Sequence, residues 1–232
     1  MRKITVGQIG FFTLLLTLVV LLAIVSTSLV ASKEWLGDFY GVIYVIMLVI
    51  LVYIWAFVIY RLFLRAFPLQ EGYIEPGSRA EFAAQVNILF YLMLFNTLIR
   101  TEILPVPLKT LVYALLGTKI GSNSFSPGTI LDPPLTEIGD NTIIGHAATL
   151  YSHAIEGHHF ALDRIVLGNN VTVGAHAIIM SGVTVGDGAI VSAGAVVKKG
   201  THIAAGEHWG GVPARRLGSA AGELAPDRST GG

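Results

Sequence analysis

The stretch that decides the fold is residues 167–203, LGNNVTVGAHAIIMSGVTVGDGAIVSAGAVVKKGTHI, in which one pattern returns every six residues. Each hexamer opens on an aliphatic residue and has a small or β-branched residue at its fifth place. Three short strands in each eighteen-residue turn form a triangular solenoid, whose successive turns pair in parallel and bury the aliphatic positions. The pattern therefore predicts a parallel β-helix.

The same pattern extends towards the N-terminus. Coils begin at Ile120, Ile138, Leu167, Val185 and Ile203. The first two starts are eighteen residues apart, and so are the last three. We therefore expect a solenoid of about five coils within residues 119–217.

One interval breaks this spacing. The starts at Ile138 and Leu167 are twenty-nine residues apart, which is one coil plus eleven residues, and the extra segment is EGHHFALDRIV, residues 156–166. It follows directly on His153 within the sequence HAIE. Functional residues concentrate in loops on rigid scaffolds, so this segment is the first candidate for a site.

The composition indicates a membrane protein. Of the 232 residues, 13% are charged and 53% are hydrophobic, and the net charge is zero. Ordinary soluble domains carry about 25% charged residues. The absence of cysteine excludes disulfides, thiolate catalysis and a cysteine-based zinc site, and the neutral balance gives no reason to expect nucleic acid as a partner.

Two uncharged runs, residues 9–31 and 41–60, account for the hydrophobicity. Each is long enough for a membrane-spanning helix, which needs about 20 apolar residues. The first run is longer than the roughly 7–15 residues of a signal-peptide core, and a second run follows at once. Residues 1–66 are therefore predicted to form a transmembrane hairpin rather than a cleaved leader.

Basic residues give the hairpin its orientation. Those at its outer ends are Arg2, Lys3, Arg61 and Arg65. The connection between the runs has only Lys33, so the positive-inside rule places both termini, and the chain after Arg65, in the cytoplasm.

Residues 67–118 are predicted to be a linker of amphipathic helices. Within it, residues 82–99 are largely apolar but are interrupted by Gln85, Asn87 and Asn96. We expect this helix to lie in the membrane interface or to pack on the anchor. A third span is the open alternative, and it would move the β-helix to the other side of the membrane. Residues 218–232 are expected to be a disordered tail without function.

Four motifs carry a family resemblance: LLGTKIG (115–121), HAIE (153–156), VSAGAVVKKG (191–200) and GGVPARRL (210–217). With them, the chain resembles the hexapeptide-repeat acyltransferases, which are left-handed β-helices and usually trimers. It is especially similar to their membrane-linked members and to the solenoid domain that ends some peptide synthetases.

The resemblance implies transfer of an acyl group, expected to be acetyl, from a coenzyme A thioester to a hydroxyl or amine. It makes His153 the general base, Glu156 a candidate for orienting it, and the inserted loop a contributor to the acceptor pocket. His158 and His159 have no clear counterpart in the family pattern, and we take them as candidates for binding the acceptor. His176 is a further candidate, for which a contact between subunits is the other interpretation. The candidates for binding coenzyme A are Gly194, Ala195, Lys198, Lys199, Arg215 and Arg216. No metal cofactor is expected.

The chemistry agrees with these assignments. An imidazole, with a pKa of about 6.5, is suited to accept the proton that a hydroxyl loses as it attacks a thioester. Backbone amides at a coil edge can stabilise the oxyanion. The predicted protein is a homotrimer in a bacterial inner membrane, with a cytoplasmic β-helix and a small-molecule or lipid-linked acceptor, such as an envelope saccharide precursor.

Two other functions stay open. The solenoid is also similar to that of the γ-class carbonic anhydrases, which hold zinc with three histidines. Here His153 and His176 match two of the zinc ligands, but Ser181 stands at the place of the third. His158 could supply the third ligand only if the loop folds inward. A trimeric scaffold without catalysis is the other, although it would have little use for His153 beside an eleven-residue insertion.

Overall fold

A computed structural model describes residues 3–101 and 103–223, except for the side chains of residues 35, 222 and 223. The chain divides into two compact units. The first comprises Met1–Leu69 and Glu75–Leu98, and the second comprises Gln70–Ile74 and Ile99–Gly232. The short segment Gln70–Ile74 therefore belongs to the second unit although helices of the first unit flank it in sequence.

Helices build the first unit. They are α1 (Val6–Val30), α2 (Lys33–Leu36), α3 (Tyr40–Ala66), α4 (Arg79–Phe90) and α5 (Asn96–Arg100), and the two-residue strand β1 (Gly72–Tyr73) lies between α3 and α4. A π-helical turn at Tyr91–Phe95 joins α4 to α5, so that Arg79–Arg100 is one continuous helical segment. Thr5 caps the start of α1 with a capping box. Its hydroxyl accepts from the backbone N–H of Gln8, and the side-chain oxygen of Gln8 accepts from the backbone N–H of Thr5.

Three helical segments in the described residues are long and apolar enough to cross a membrane: Val6–Val30, Gly37–Ala66 and Arg79–Arg100. The sequence predicted two such helices and an interfacial third. The third segment is the least apolar, with a mean hydropathy of 1.7 against 2.7 and 3.0, and half of its most apolar window is buried within the protein. By length and composition alone, however, it qualifies as a span.

Aromatic rings pack α4 antiparallel to the second half of α3. Phe82 lies 5.4 Å from Phe67 and the Phe95 ring lies 5.0 Å from that of Phe57, measured between centroids. Between these pairs, the Tyr60 hydroxyl donates to Asn87 Oδ1 at 2.7 Å. Of the polar residues that interrupt the apolar run, Gln85 and Asn87 are thus buried within the protein, whereas Asn96 is partly exposed.

The second unit begins with α6 (Val106–Leu116), which ends at Gly117 in the left-handed conformation (φ 116°). A β-helix follows. Its strands are β2 (Lys119–Ile120), β3 (Thr129–Ile130), β4 (Thr136–Ile138), β5 (Ile143–Ile144), β6 (Thr149–Leu150), β7 (His153–Glu156), β8 (His159–Leu162), β9 (Ile165–Leu167), β10 (Thr172–Val173), β11 (Ile178–Ile179), β12 (Thr184–Val185), β13 (Ile190–Val191), β14 (Val196–Val197), β15 (His202–Ile203), β16 (Glu207–Gly211) and β17 (Ala214–Ser219), with α7 at Ala220–Glu223.

Three sheets form the faces of the solenoid, in the orders β15-β12-β9-β4-β2, β14-β11-β6-β3 and β17-β16-β13-β10-β5. Strands of successive coils pair in parallel, and within these three sheets β16 and β17 form the one antiparallel pair. In the first sheet, the five predicted coil starts are direct register partners: Ile120, Ile138, Leu167, Val185 and Ile203. The predicted register of the coils is therefore confirmed.

Glycine at the second place of a hexamer has a packing role. Although glycine can permit tight turning, the second-place glycine is not in a turn conformation here: a Cβ on Gly139 would lie 2.6 Å from the carbonyl carbon of Gly168 in the next coil. Close approach of the coils therefore requires it. The left-handed backbone falls instead at the fourth place, for example at Asn141 (φ 53°) and Asn170 (φ 55°).

The eleven-residue insertion folds as a β-hairpin of β7 and β8, joined by a turn at Gly157 and His158. Strand β1 pairs antiparallel with the outer edge of β8, giving a three-stranded sheet in the order β1-β8-β7. At the C-terminus, residues 218–223 continue β17 and α7, and the remainder of the predicted disordered tail lies outside the described residues.

Candidate functional site

An aspartate–histidine pair marks the candidate site. His153 opens β7, and its Nδ1 lies 2.7 Å from Oδ2 of Asp132. The Asp132 side chain is 4% exposed, whereas that of His153 is 29% exposed. The imidazole thus reaches solvent while the carboxylate beneath it is buried.

Backbone hydrogen bonds fix this carboxylate in place. The same Oδ2 accepts from the backbone N–H groups of Ser152, at 2.8 Å, and His153, at 3.2 Å. A carboxylate can only accept, so Nδ1 of His153 carries the proton and Nε2 keeps a free lone pair. The ring is therefore held in the tautomer that a general base needs.

The pair also sets the protonation of the histidine. Burial of the imidazole is the largest single influence on the pKa of His153 and lowers it, but the hydrogen bond and the negative charge of Asp132 act together in the opposite direction. The net pKa lies above its ordinary value. His153 is consequently a stronger proton acceptor than a free imidazole.

The base of the hairpin is tied to the coils by buried polar groups. The backbone carbonyl of Ser152 accepts from the Asp163 backbone N–H at 2.9 Å and from the Ser181 hydroxyl at 2.8 Å. The Ser152 hydroxyl donates in turn to the carbonyl of Leu135 at 2.9 Å. These bonds hold the chain rigid immediately before His153.

Asp132, rather than Glu156, occupies the orienting position. Glu156 lies at the end of β7, exposed, and both of its carboxylate oxygens accept from Lys199 Nζ at 2.7 Å. The hydrogen bond from Lys199 and its charge lower the pKa of Glu156. Side chains alternate along a strand, which places His153 and Glu156 on opposite faces of β7.

A signal for Asp132 was present in the sequence. Ile130 and Leu150 are register partners in adjacent coils, so Asp132 and Ser152 hold the same third place of stacked hexamers. Extending the hexamer register to ILDPPL would have placed an aspartate beside the residue that precedes His153. The HAIE motif alone does not reveal this aspartate.

The opposite face of the hairpin borders a cleft of about 540 Å³. The cleft has a floor of small residues, including Ala154, Ala161 and Gly182. Its charged and polar lining residues are Glu71, His159, Asp163, Arg164, Ser181 and Lys199. It is large enough for a small ligand.

Of the other candidate acceptor residues, His159 stacks on Tyr73 of β1, with ring centroids 5.0 Å apart. His158 is exposed in the turn of the hairpin. His176 is exposed on another corner, where it has φ 58° and its ring lies 6.1 Å from that of His146. The structure therefore does not bring His176 together with the hairpin histidines.

No group of three or more histidine, cysteine or acidic side chains suited to a metal ion occurs in residues 3–101 and 103–223. In particular, Nδ1 of His153 is engaged by Asp132, and His176 pairs with His146 instead.

The candidate donor residues lie in the last coils. Gly194 is exposed with φ 68°, and its N–H donates to the carbonyl of Ala175 at 2.8 Å. Ala195 is completely buried, and its N–H donates to the carbonyl of Ser192 at 3.2 Å. Lys198 and Arg215 are exposed. Lys199 and Arg216 are exposed too, but they are paired, Lys199 with Glu156 and Arg216 with Glu207 at 2.8 Å.

Comparison with protein families identifies the repeat. Residues 164–199 match the family model of the bacterial transferase hexapeptide (six repeats). The match lies in the late coils and begins directly after the hairpin.

Individual relatives are acetyltransferases by name. The chain is 38% identical over 53 residues to "Putative acetyltransferase YvoF" of Bacillus subtilis (strain 168), which covers 23% of this chain and 31% of that protein. A galactoside acetyltransferase solved in complex with coenzyme A superimposes with a TM-score of 0.50 at 22% identity, over 68% of this chain and 88% of its own. That likeness shows a shared fold.

A hexapeptide-repeat acetyltransferase from Vibrio cholerae, VCA0836, is 27% identical with a TM-score of 0.42, over 45% of this chain and 64% of its own. The chain thus spans less than a third of the length of YvoF and less than two thirds of VCA0836. The predicted resemblance to a peptide-synthetase domain finds no support among these relatives.

Proposed function

We propose that this protein is a membrane-anchored acyltransferase that moves an acetyl or other acyl group from coenzyme A to a hydroxyl or amine. The observation that carries the proposal is the Asp132–His153 pair, a buried carboxylate that fixes the tautomer of a partly exposed imidazole. The matched hexapeptide repeats and the acetyltransferase relatives support the same reaction.

The reaction needs one general base. Nε2 of His153 accepts the acceptor's proton as its oxygen or nitrogen attacks the thioester carbonyl. The tetrahedral intermediate then collapses, the carbon–sulfur bond breaks, and the proton passes from His153 to the departing thiolate. Asp132 stabilises the imidazolium formed in between, as a carboxylate beside a catalytic histidine does in other enzymes.

The donor is proposed to bind along the last coils. The exposed Lys198 and Arg215 can approach the phosphates of coenzyme A, and Gly194 offers an exposed backbone surface. The backbone N–H groups of Gly194 and Ala195 already donate to carbonyls of the protein, at 2.8 Å and 3.2 Å, so they are not available as donors to the pantetheine arm. Lys199 and Arg216 would first have to leave Glu156 and Glu207. Lys199 and Arg216 are therefore proposed to bind the donor only after these ion pairs open.

The assembly is proposed to be a homotrimer in a bacterial inner membrane, with its β-helix in the cytoplasm. Three long apolar helices support membrane anchoring. The acceptor that fits an anchored enzyme is itself membrane-bound, such as a lipid-linked or envelope saccharide precursor.

Release of free coenzyme A from acetyl-CoA by the purified full-length protein, with total membrane lipid extract as acceptor, tests the proposal. Replacing His153 with alanine removes the base, and we expect the acceptor-dependent rate to fall roughly 10²–10⁴-fold. His202→Ala is the matched control, because His202 is an exposed histidine on another coil.

The control is expected to keep the rate of the unsubstituted protein. Equal rates for the His153→Ala and His202→Ala proteins would contradict the assignment of the base. A protein that binds no acetyl-CoA would instead favour the scaffold.

A further inference from the structure

The connection between α3 and α4 is built into the sheet that carries His153. In β1, Gly72 pairs with Leu162 and Tyr73 with Ala161, and Leu162 pairs in turn with His153 across the hairpin. The backbone N–H of Ile74 continues this edge by donating to the carbonyl of Phe160 at 2.8 Å.

Side chains strengthen the pairing. The guanidinium of Arg164, which follows β8, donates to Glu71 Oε1 from Nε at 3.0 Å and from Nη2 at 2.8 Å. Its Nη1 donates to Glu137 of β4 at 2.9 Å. Ile74 is 1% exposed. The segment is therefore docked by backbone, charge and burial together.

This pairing restricts the membrane topology. Strand β1 follows α3, so it lies on the side of the membrane where α3 ends, and β8 must lie on that side as well. If α4 carried the chain across, the β-helix would be on the other side and the two strands could not meet. The chain would then need another crossing before β2 to bring it back.

The chain offers no such crossing in its described part. Between Arg100 and β2, residues 101 and 103–118 contain a single helix, α6, of eleven residues. At 1.5 Å per residue it is roughly 16 Å long, which is about half of the ~30 Å hydrocarbon core. Irregular backbone exposed to lipid does not span that core.

The packing of the segment Arg79–Arg100 is consistent with an incomplete crossing. From Phe82 to Phe95, in α4 and the π-helical turn, it lies beside the end of α3 from Phe67 back to Phe57. Ten residues of α3 correspond to roughly 15 Å, so by Phe95 the helix has passed only about half of the hydrocarbon thickness.

We infer that the chain crosses the membrane twice, that the helical segment Arg79–Arg100 does not complete a third crossing, and that segment 70–74 tethers the His153 hairpin to the membrane surface where α3 ends. Five residues separate Ala66 from β1. Six Cα–Cα steps span at most roughly 20 Å, so the start of β1 stays within that distance of the end of α3. Strand β7 lies two strand spacings of about 5 Å beyond β1, so His153 stays within roughly 30 Å.

The tether also narrows the acceptor, in a step that rests on the proposed function. A hairpin held near the bilayer serves an acceptor whose reactive hydroxyl or amine projects from a lipid headgroup at that surface. The positive-inside rule makes this the cytoplasmic surface.

Single cysteines test the topology directly, because the natural chain has none. Asp38→Cys lies between the first two long helices, Glu75→Cys lies between β1 and α4, and Ala205→Cys lies in the last coil; all three positions are exposed. Each full-length variant is labelled with a membrane-impermeant maleimide in right-side-out and in inverted vesicles from expressing cells.

Glu75→Cys and Ala205→Cys are expected to be labelled only in inverted vesicles, and Asp38→Cys only in right-side-out vesicles. Labelling of Glu75→Cys and Ala205→Cys from opposite sides would overturn the inference, as would labelling of all three from one side. Ala204→Cys is a second reporter if the Ala205 variant does not fold. Labelling needs no turnover, so its outcome is independent of whether the proposed transfer reaction is found.

Discussion

At the scale of single residues, the proposed proton transfer depends on how Asp132 changes the pKa and the tautomer of His153. The carboxylate raises the pKa of the imidazole by more than burial lowers it. A histidine whose pKa is raised by folding stabilises the folded state below its ordinary value of about 6.5, and this contribution is lost as the pH rises through the folded value. As the proposed base, His153 is therefore in its proton-accepting form at the higher pH, where its pair with Asp132 stabilises the fold least.

Replacing Asp132 with asparagine should shift the pH dependence of the rate. The amide removes the negative charge while burial of the imidazole stays, so the pKa of His153 falls and the acidic limb of the pH–rate profile moves to lower pH. The maximal rate should fall as well, because an amide can also accept or donate and no longer fixes the tautomer.

The measurement is the rate of coenzyme A release between pH 5 and pH 9, with Asp187→Asn as control. Asp187 accepts from a backbone N–H of the neighbouring coil at 2.8 Å and is exposed, so its replacement leaves His153 untouched. An acidic limb in the Asp132→Asn protein at the same pH as in the control would refute the role of Asp132.

At the scale of elements, the hairpin of β7 and β8 is positioned from two directions. Its base is fixed by the buried bonds around Ser152, and its outer edge is fixed by β1 and the Glu71–Arg164 pair. The first set holds the imidazole, whereas the second holds the strand beyond it. Loss of the second set should therefore loosen the hairpin without disturbing the Asp132–His153 pair.

Glu71→Gln isolates the second set. Glu71 and Arg164 are partly exposed, with 47% and 29% of their side-chain surface accessible, and such pairs contribute at most about 1 kcal/mol. We expect amide hydrogen exchange in residues 153–162 to become roughly twofold to fivefold faster. Glu75→Gln is the matched control, because Glu75 is an exposed carboxylate on the same connection.

Exchange that is unchanged in the Glu71→Gln protein, or equally faster in both variants, would show that the ion pair does not position the hairpin.

The coils could be read from the sequence because their contacts are periodic. An aliphatic residue every sixth position, from Leu167 to Ile203, determines which residues become register partners. The hairpin lies where that periodicity fails. Asp132 holds a regular hexamer place and is found only when the register is extended to residues 130–135, whereas β1 meets β8 from about ninety residues away and leaves no local pattern.

At the scale of the whole molecule, one short segment of the second unit lies between two helices of the first unit in the sequence. Gln70–Ile74 belongs to the unit that carries the β-helix, although α3 and α4 of the other unit flank it. Removing residues 1–110 to ask whether the anchor is needed would thus also remove β1 from the hairpin. Single substitutions in the full-length chain avoid this ambiguity.

The fate of the acetyl group is the measurement that tests the central claim most directly. Full-length protein is incubated with acetyl-CoA labelled in the acetyl carbonyl and with total membrane lipid extract, and the lipid fraction is recovered. We expect label covalently attached to a lipid-extractable product, dependent on the extract and lost in the His153→Ala protein. Label recovered only as acetyl-CoA or free acetate, or a His153→Ala protein as active as the natural one, would contradict that claim.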